Sequence, residues 1–346
     1  MPKTAISILA YNGSLDIITC IQSLLQLEAD IYVLDNASKD DTLSLLHTNF
    51  DSVKNVHIIQ NKVNVGFSPG HNQVLDIIRG KYEYYWLLNQ DLVLNDNQIL
   101  EKLIAHSVKF DNKCLLQPLI KNFDGTIGNA GLFAQFAGVS AQNKEIKPEL
   151  VYEVGYLSGA AVFFSQQALE VLGGFDPIFF AYHEDTELSF RAQLLGLKTM
   201  VCTDCAVMHD HVFGKSQFKF KLIDRNKIIL NLMYYDVFSL IILFPSFLLA
   251  ELMSTAYFCL NGWWGLKFTV IKEVFELRQQ IWQSRKKIMK IRQEHDTWKS
   301  FVMRLDHRVP TDDFGNNAVI KVGIGFANIF FFINLWIYKQ INKLFY

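Results

Sequence analysis

The chain has 346 residues, room for two domains or for one large domain with an appendage at about 100–200 residues per domain. Half of it is hydrophobic, 14% is aromatic and 19% is charged, which excludes disorder as its main state. Lys plus Arg (33) and Asp plus Glu (34) cancel to a net charge of −1, which gives nucleic acid no reason to bind, and the mean hydropathy of +0.14 points towards lipid.

The N-terminal Met1-Pro-Lys-Thr runs into an apolar, strand-like stretch without an n-region, a long h-region or a cleavage site, so no export is expected. Ala5 to Leu9 reads as a strand, Leu15 to Gln26 as a helix and Ile31 to Leu34 as a second strand. Asp41 to Phe50 (helix), Val56 to Gln60 (strand), Gly70 to Arg79 (helix) and Tyr84 to Leu88 (buried strand) follow. This alternation predicts an α/β fold with a mostly parallel sheet, whose ligands sit beyond the carboxyl ends of the strands. The middle third carries glycine-rich turns (Gly125 to Gly138, Gly155 to Phe164, Gly173-Gly174), a helix from about Asp185 to Leu195 and strand-like stretches at Lys198 to Cys202 and Cys205 to Met208. Five scattered cysteines (Cys20, Cys114, Cys202, Cys205, Cys259) fit a reducing compartment better than a disulfide scaffold, and Cys202-Thr-Asp-Cys205 has no second pair to complete a zinc site.

After about residue 220 the composition changes. Val237 to Leu260 is apolar and long enough to span a bilayer, but it contains Pro245 and Glu251, so we read it as a broken helix or hairpin in the interface rather than a span. The paired Trp263-Trp264 and a basic stretch from Arg278 to Arg308 (Arg285, Lys286, Lys287, Lys290, Arg292, Lys299, Arg304) follow, and suit contact with anionic headgroups. Val322 to Tyr338 is a further apolar run, either a second membrane contact or a helix docked on the first.

Four clusters carry polar chemistry at predicted strand ends. Ala10-Tyr11-Asn12 and Asp35-Asn36-Ala37-Ser38 offer groups for a base or ribose, although Asp35 or Ser38 could equally cap the next helix. Asn61 to Asn72, with Asn64, Gly66, Gly70 and Asn72, allows close backbone approach to a ligand and is also a common loop type. Asn89-Gln90-Asp91 ends a strand in a carboxylate that can share Mg²⁺ or Mn²⁺ with two phosphates, or can be a plain turn residue. Glu184-Asp185-Thr-Glu187 before Arg191 offers a carboxylate base beside a second carboxyl, or an acidic helix start with an i,i+4 pair. His209 and His211 follow a strand.

Taken in order over residues 4 to about 215, these segments, with Gly159-Ala160 and Gly173-Gly174-Phe175-Asp176, resemble the inverting glycosyltransferases of family 2, the GT-A group, particularly its bacterial rhamnosyltransferase-like and galactofuranosyltransferase-like members. The resemblance implies a GT-A, Rossmann-like nucleotide-sugar-binding domain over 1–220 and a helical membrane-associating region over 221–346. It implies donor binding by Tyr11, Asn12, Asp35, Asn36, Asn64, Gly66, Asn72, Asn89 and Gly159. Asp91 and His209 would hold Mg²⁺ or Mn²⁺, and Asp185, with Glu184 beside it, would be the general base. The expected reaction moves a sugar from TDP-rhamnose or a UDP-sugar to a glycan or polyprenyl-linked acceptor, at the cytoplasmic face of the membrane, in cell-surface polysaccharide synthesis. Asn89-Gln90-Asp91 stands in place of Asp-x-Asp, as in many relatives of this subgroup, and the Gln-x-x-Arg-Trp motif of processive synthases is absent. The rival readings are a nucleotidyltransferase, which usually has a basic phosphate loop after the first strand, and a catalytically silent nucleotide-sugar-binding scaffold.

Overall fold

The computed structural model describes residues 3–139, 141–209, 216–309 and 318–345; His211 lies outside them. The elements run β1 (Thr4–Ala10), α1 (Ile17–Leu24), β2 (Ala29–Asp35), α2 (Thr42–Phe50), β3 (Val56–Gln60), α3 (Phe67–Ile78), β4 (Tyr84–Asn89), α4 (Ile99–Lys109), β5 (Cys114–Lys121) and β6 (Ile127–Asn129). They continue with β7 (Leu132–Phe133), β8 (Ala141–Gln142), β9 (Val151–Glu153), β10 (Ala161–Ser165), α5 (Gln166–Leu172), α6 (Glu184–Leu194) and β11 (Lys198–Met208). The last helices are α7 (Gln217–Tyr234), α8 (Val237–Leu260), α9 (Trp264–Glu276), α10 (Arg278–Glu294), α11 (Trp298–Arg304) and α12 (Ala318–Phe345).

The chain divides into two compact units, Met1–Gly131 with Asn143–Ala192 and Gly196–Val212, and Leu132–Gln142 with Gln193–Leu195 and Phe213–Tyr346. The second unit therefore begins a few residues before 220 and also takes in two short earlier segments.

In the first unit one sheet runs β3-β2-β1-β4-β10-β5-β11-β9, with β6 added to β5. The β-branched and aromatic runs of β1, β2 and β4 are buried almost throughout, as parallel strands covered on both faces require. Ile6, Ile8, Ile31, Val33, Trp86 and Leu88 join Ile17, Ile21 and Leu24 of α1 and Ile99 and Leu103 of α4 in one core. The sheet is mixed: β10 is antiparallel to β4 and β5, and β9 to β11. Lys198–Met208 is a single strand with a register shift between Cys202 and Ala206, so the two stretches expected there are joined through a bulge. From β1 the chain steps to β2 on one side, and β4 returns on the other side of β1. That reversal opens a crevice beyond the carboxyl ends of β1 and β4.

In the second unit α8 packs on α12 and on α9, and α7 packs on α9 and α10. Helix α8 is continuous over 24 residues with Pro245 inside it, which corrects the expectation of a broken helix or hairpin. Asn334 of α12 donates to the Ile242 carbonyl at 3.0 Å in the turn before Pro245, and the Ser246 hydroxyl donates to Asn334 Oδ1, so a neighbouring helix supports the backbone where the proline removes a donor. Glu251 is not exposed to the apolar surround as a lone charge: it pairs with Lys227 and Lys267, each at 2.7 Å. Two helical stretches, Val237–Leu260 and Lys321–Leu344, are long and apolar enough to cross a membrane by length and composition. Their outward residues, such as Ile241, Phe244, Leu252, Phe326 and Trp336, are exposed. Part of the basic stretch serves the interior of the unit. Arg285 donates to the Leu232 and Tyr235 carbonyls and Arg292 to the Tyr234 carbonyl, closing the carboxyl end of α7. Lys286, Lys287, Lys290, Lys299 and Arg304 remain at the surface.

Candidate active site

The residues singled out in the first unit gather along the carboxyl edge of β1, β2 and β4 and the amino end of β10, where consecutive strands carry their polar stops side by side. At the crevice the Gln90 side chain clasps the backbone of Tyr11, accepting its N–H at 2.8 Å and donating to its carbonyl at 3.1 Å. Gln90 was not singled out by sequence, although it stands between Asn89 and Asp91 in the same run. The loop after β1 is stitched to the loop after β2. The Ser38 hydroxyl accepts the Asn12 N–H at 3.0 Å, Asn12 Oδ1 accepts the Lys39 N–H at 2.8 Å, and Thr42 Oγ1 accepts the Gly13 N–H at 2.8 Å. Asp35 is buried, and its carboxylate accepts the Ser38 N–H at 3.3–3.4 Å. Neither Asp35 nor Ser38 caps α2, whose N-cap is Asp41.

Three of the asparagines are engaged with the protein. Asn36, buried, donates to Asn64 Oδ1 at 2.9 Å and to the Gly66 carbonyl at 3.2 Å, and accepts from Asn61 and Val65. Asn64 Oδ1 also accepts the Gly66 N–H at 2.9 Å. Asn72 holds the Phe175 backbone at both ends of its amide, at 2.9 and 3.0 Å. These side chains shape the loops of the site. Gly66 has a φ of 93°, and a Cβ there would stand 2.5 Å from the Phe180 carbonyl oxygen, so no side chain fits where this loop meets the segment before α6. Of the six non-glycine residues with positive φ among the described residues, four (Asn12, Ala37, Tyr182 and His183) lie in these loops, a concentration of backbone strain typical of functional sites.

Asp91 leaves β4 in a turn, and the Val93 and Met208 backbones then pair, at 2.8 and 2.9 Å, which brings the end of β11 alongside. His209 Nε2 consequently lies 3.2 Å from Asp91 Oδ1. The two residues expected to share a metal ion are far apart in sequence and adjacent in space. Among the described residues no group of three or more His, Cys, Asp and Glu forms a metal cage. One carboxylate and one imidazole fit a divalent cation that takes its remaining ligands from water and phosphate oxygens, and do not fit a structural site closed by protein alone.

The Asn89 N–H donates to the Ala160 carbonyl at 2.9 Å, so the amino end of β10 borders the Asp91 turn. There Gly159 N–H donates to Asp185 Oδ2 at 3.1 Å. The Thr186 N–H and hydroxyl donate to Asp185 Oδ1 at 2.7 and 3.3 Å. Burial pushes the Asp185 carboxyl above its ordinary value, and these donors hold it back. Glu184 is raised well above its ordinary value, by burial first and by the Asp185 charge second. Its Oε2 is buried without a hydrogen-bond partner. Of the adjacent pair, Glu184 is the more strongly raised, so Asp185 ionises first.

Glu187 and Arg191 form a bidentate pair at 2.7 and 2.8 Å, and the same guanidinium donates to the Leu172 and Gly174 carbonyls. This clamp fixes the glycine turn that Asn72 holds from the other side. His71, which sequence reading did not single out, shares a 2.9 Å hydrogen bond with the Ser7 hydroxyl and packs edge-on to Phe67; burial pushes its imidazole down to about 3, so it is neutral.

A carboxylate beside a histidine and a second carboxylate on a glycine N–H thus lie at the switch between β1 and β4 of a mixed α/β sheet of GT-A type. Residues 5–173 match the family described as Glycosyl transferase family 2. The chain is 24% identical over 202 residues to the low-salt glycan biosynthesis hexosyltransferase Agl10 of Haloferax volcanii, an alignment covering 55% of this chain and 62% of that protein. The fold is similar to that of GalNAc-T7 crystallised with UDP, GalNAc and Mn²⁺ (TM-score 0.55, 15% identity, 67% of this chain and 48% of that one). It is also similar to S. aureus TarS 1–349 in complex with UDP-GlcNAc (TM-score 0.52, 17% identity, 88% of this chain and 93% of that one).

Proposed function

We propose that the protein is an inverting, non-processive glycosyltransferase that moves a sugar from a nucleoside diphosphate donor to a hydroxyl of a glycan or polyprenyl-linked acceptor at the cytoplasmic face of a membrane. The observation that carries this reading is that Asp91 and His209, at the ends of β4 and β11, and Asp185, in the first turn of α6 and bonded to Gly159 before β10, border the same crevice. In this reading Tyr11, Asn12 and Asp35 border the base and ribose, with Gln90 holding the Tyr11 backbone in place. Asn36, Asn64 and Asn72 set the loops around the donor, and Gly66 allows their close approach. Asp91 and His209 would hold Mg²⁺ or Mn²⁺, which when bound would supply a Lewis acid for the diphosphate.

Asp185 takes the proton of the acceptor hydroxyl on a carboxylate oxygen. The acceptor oxygen forms a bond to the anomeric carbon as the bond from that carbon to the diphosphate oxygen breaks, and nucleoside diphosphate leaves with the electron pair. One displacement inverts the configuration. Glu184, neutral and buried beside it, keeps a second negative charge away from the incoming hydroxyl. The Gly159 N–H orients the base.

The exposed apolar faces of α8 and α12 and the lysines of α10 support membrane contact by the second unit. TDP-rhamnose and UDP-sugars are the donors to try first, and cell-surface polysaccharide synthesis is the expected setting. Incubating the full chain in vesicles with a panel of nucleotide sugars and Mn²⁺ should show one donor releasing nucleoside diphosphate well above the rest. Folded protein that releases none, or that instead turns over nucleoside triphosphates, would reject the reading.

A further inference from the structure

We propose that a cavity inside the second unit, between α8 and α12 and beside α7, is a binding site for one hydrocarbon chain of a membrane lipid. It has a volume of about 690 Å³, in the range of sites that enclose a small ligand. Small residues make it: Ala250 on α8 faces Gly323 and Ala327 on α12, and a Cβ on Gly323 would meet nothing within 4 Å. Its inner wall is buried Phe258, Ile324 and Phe331. Its mouth is marked by Leu260 and Phe326, which also belong to the lining and are 79% and 70% exposed. The cavity therefore opens onto the same apolar exterior that the two bilayer-length helices present, and a chain can enter from lipid without crossing water.

The polar groups in the lining show what kind of ligand belongs there. The lining residues Lys227 and Asp224 bond each other at 2.9 Å; behind them, outside the lining, Glu251 bonds Lys227 at 2.7 Å, and Lys267 bonds Asp224 at 2.5 Å and Glu251 at 2.7 Å. Two cations and two carboxylates cancel, and the Ser254 hydroxyl is engaged by the Lys267 ammonium and the Glu251 carbonyl. Among the described residues of the lining no charge is left over for an anionic or cationic ligand, and a polar one would lose its hydration without replacement. An uncharged chain gains from burial and contact alone. An acyl chain of a phospholipid and the isoprenyl chain of a lipid-linked acceptor share this chemistry.

The proposal rests on the membrane contact proposed above, and the test separates the two. The full chain is placed in phosphatidylcholine–phosphatidylglycerol vesicles containing, in one arm, phosphatidylcholine with a diazirine near the end of an acyl chain and, in the other, a polyprenyl phosphate with a diazirine in its chain. After irradiation the adducts are mapped by mass spectrometry. Adducts on the inner residues Ala250, Ile324 and Ala327 are expected as well as on the outward Phe244 and Ile333, and the arm giving more inner label identifies the source. Gly323→Phe and Ala327→Phe, which fill the cavity, should each reduce inner label about tenfold and leave outer label and sedimentation with vesicles unchanged. If either variant fails to fold, as judged by circular dichroism, the wild-type map decides alone. Outer label without inner label would overturn the cavity site while leaving the membrane contact standing. A folded chain that neither sediments nor labels would overturn both.

Discussion

Replacing Asp185 by Asn tests the division of labour between two adjacent carboxyls. The amide nearly keeps the shape and can still accept the Gly159 N–H, but it cannot take a proton. Loss of a general base lowers turnover by ~10²–10⁴, or about 3–5 kcal/mol of barrier at ~1.4 kcal/mol per decade. Wild-type turnover should fall as pH drops through the raised value of Asp185, where the base becomes protonated, and Asp185→Asn should lose that limb. Glu184→Gln should behave differently, because burial and the Asp185 charge hold the group it replaces well above its ordinary value, so that Asp185 ionises before it. Its effect falls on stability. A carboxyl raised in the fold favours the folded state fully below its unfolded value of 4.5, and that contribution is lost as pH rises towards the folded value. The decline is ~1.4 kcal/mol for each pH unit over which only the unfolded chain is ionised. Glu184→Gln should flatten it, so melting temperatures of variant and wild type diverge in the variant's favour as pH rises above 4.5. Initial rates across pH, with calorimetric donor binding and thermal melts on the same preparations, read all three quantities. Near wild-type turnover by Asp185→Asn, or a Glu184→Gln loss as large as that expected of Asp185→Asn, would refute the assignment.

Three further outcomes are expected. Asp91→Ala should weaken divalent-cation-dependent donor binding while the melt stays close to wild type, and full activity in excess chelator would contradict a metal at Asp91 and His209. Arg191→Ala removes the bidentate partner of Glu187, whose side chain is 1% exposed, so a loss of about 3–5 kcal/mol in a urea melt is expected, and an unchanged midpoint would contradict it. Replacing Lys286, Lys287 and Lys290 by Ala should weaken binding to anionic vesicles at low salt by about 1 kcal/mol per lysine and leave a salt-resistant remainder carried by α8 and α12, a remainder whose absence would count against apolar contact.

The parallel half of the sheet was legible because β1, β2 and β4 are continuous apolar runs that stop at polar residues, a pattern with few alternatives. Strand β10 was not: Ala161–Ser165 is five residues long, sits among glycines, and owes its place to pairing with β4 and β5 rather than to its own periodicity. The candidate site was legible residue by residue but not as an arrangement. Nothing local signals that His209 meets Asp91, since that contact depends on the pairing of Val93 with Met208. Nor could spacing separate asparagines that touch a ligand from those that hold loops, because an amide that bridges Phe175 looks the same in sequence as one that faces a base. Pro245 and Glu251 misled for a related reason: their support comes from Asn334, Lys227 and Lys267 on other helices.

The most direct measurement is the anomeric configuration of the first transfer product, followed by proton NMR while the full chain in vesicles turns over the donor that the panel identifies, with diamagnetic Mg²⁺ and a hydroxyl acceptor present. A single displacement driven by Asp185 predicts a glycoside of inverted configuration from the earliest spectrum and no sugar covalently attached to the protein in intact mass spectra. A product with retained configuration, or a trapped glycosyl-protein adduct, would contradict it.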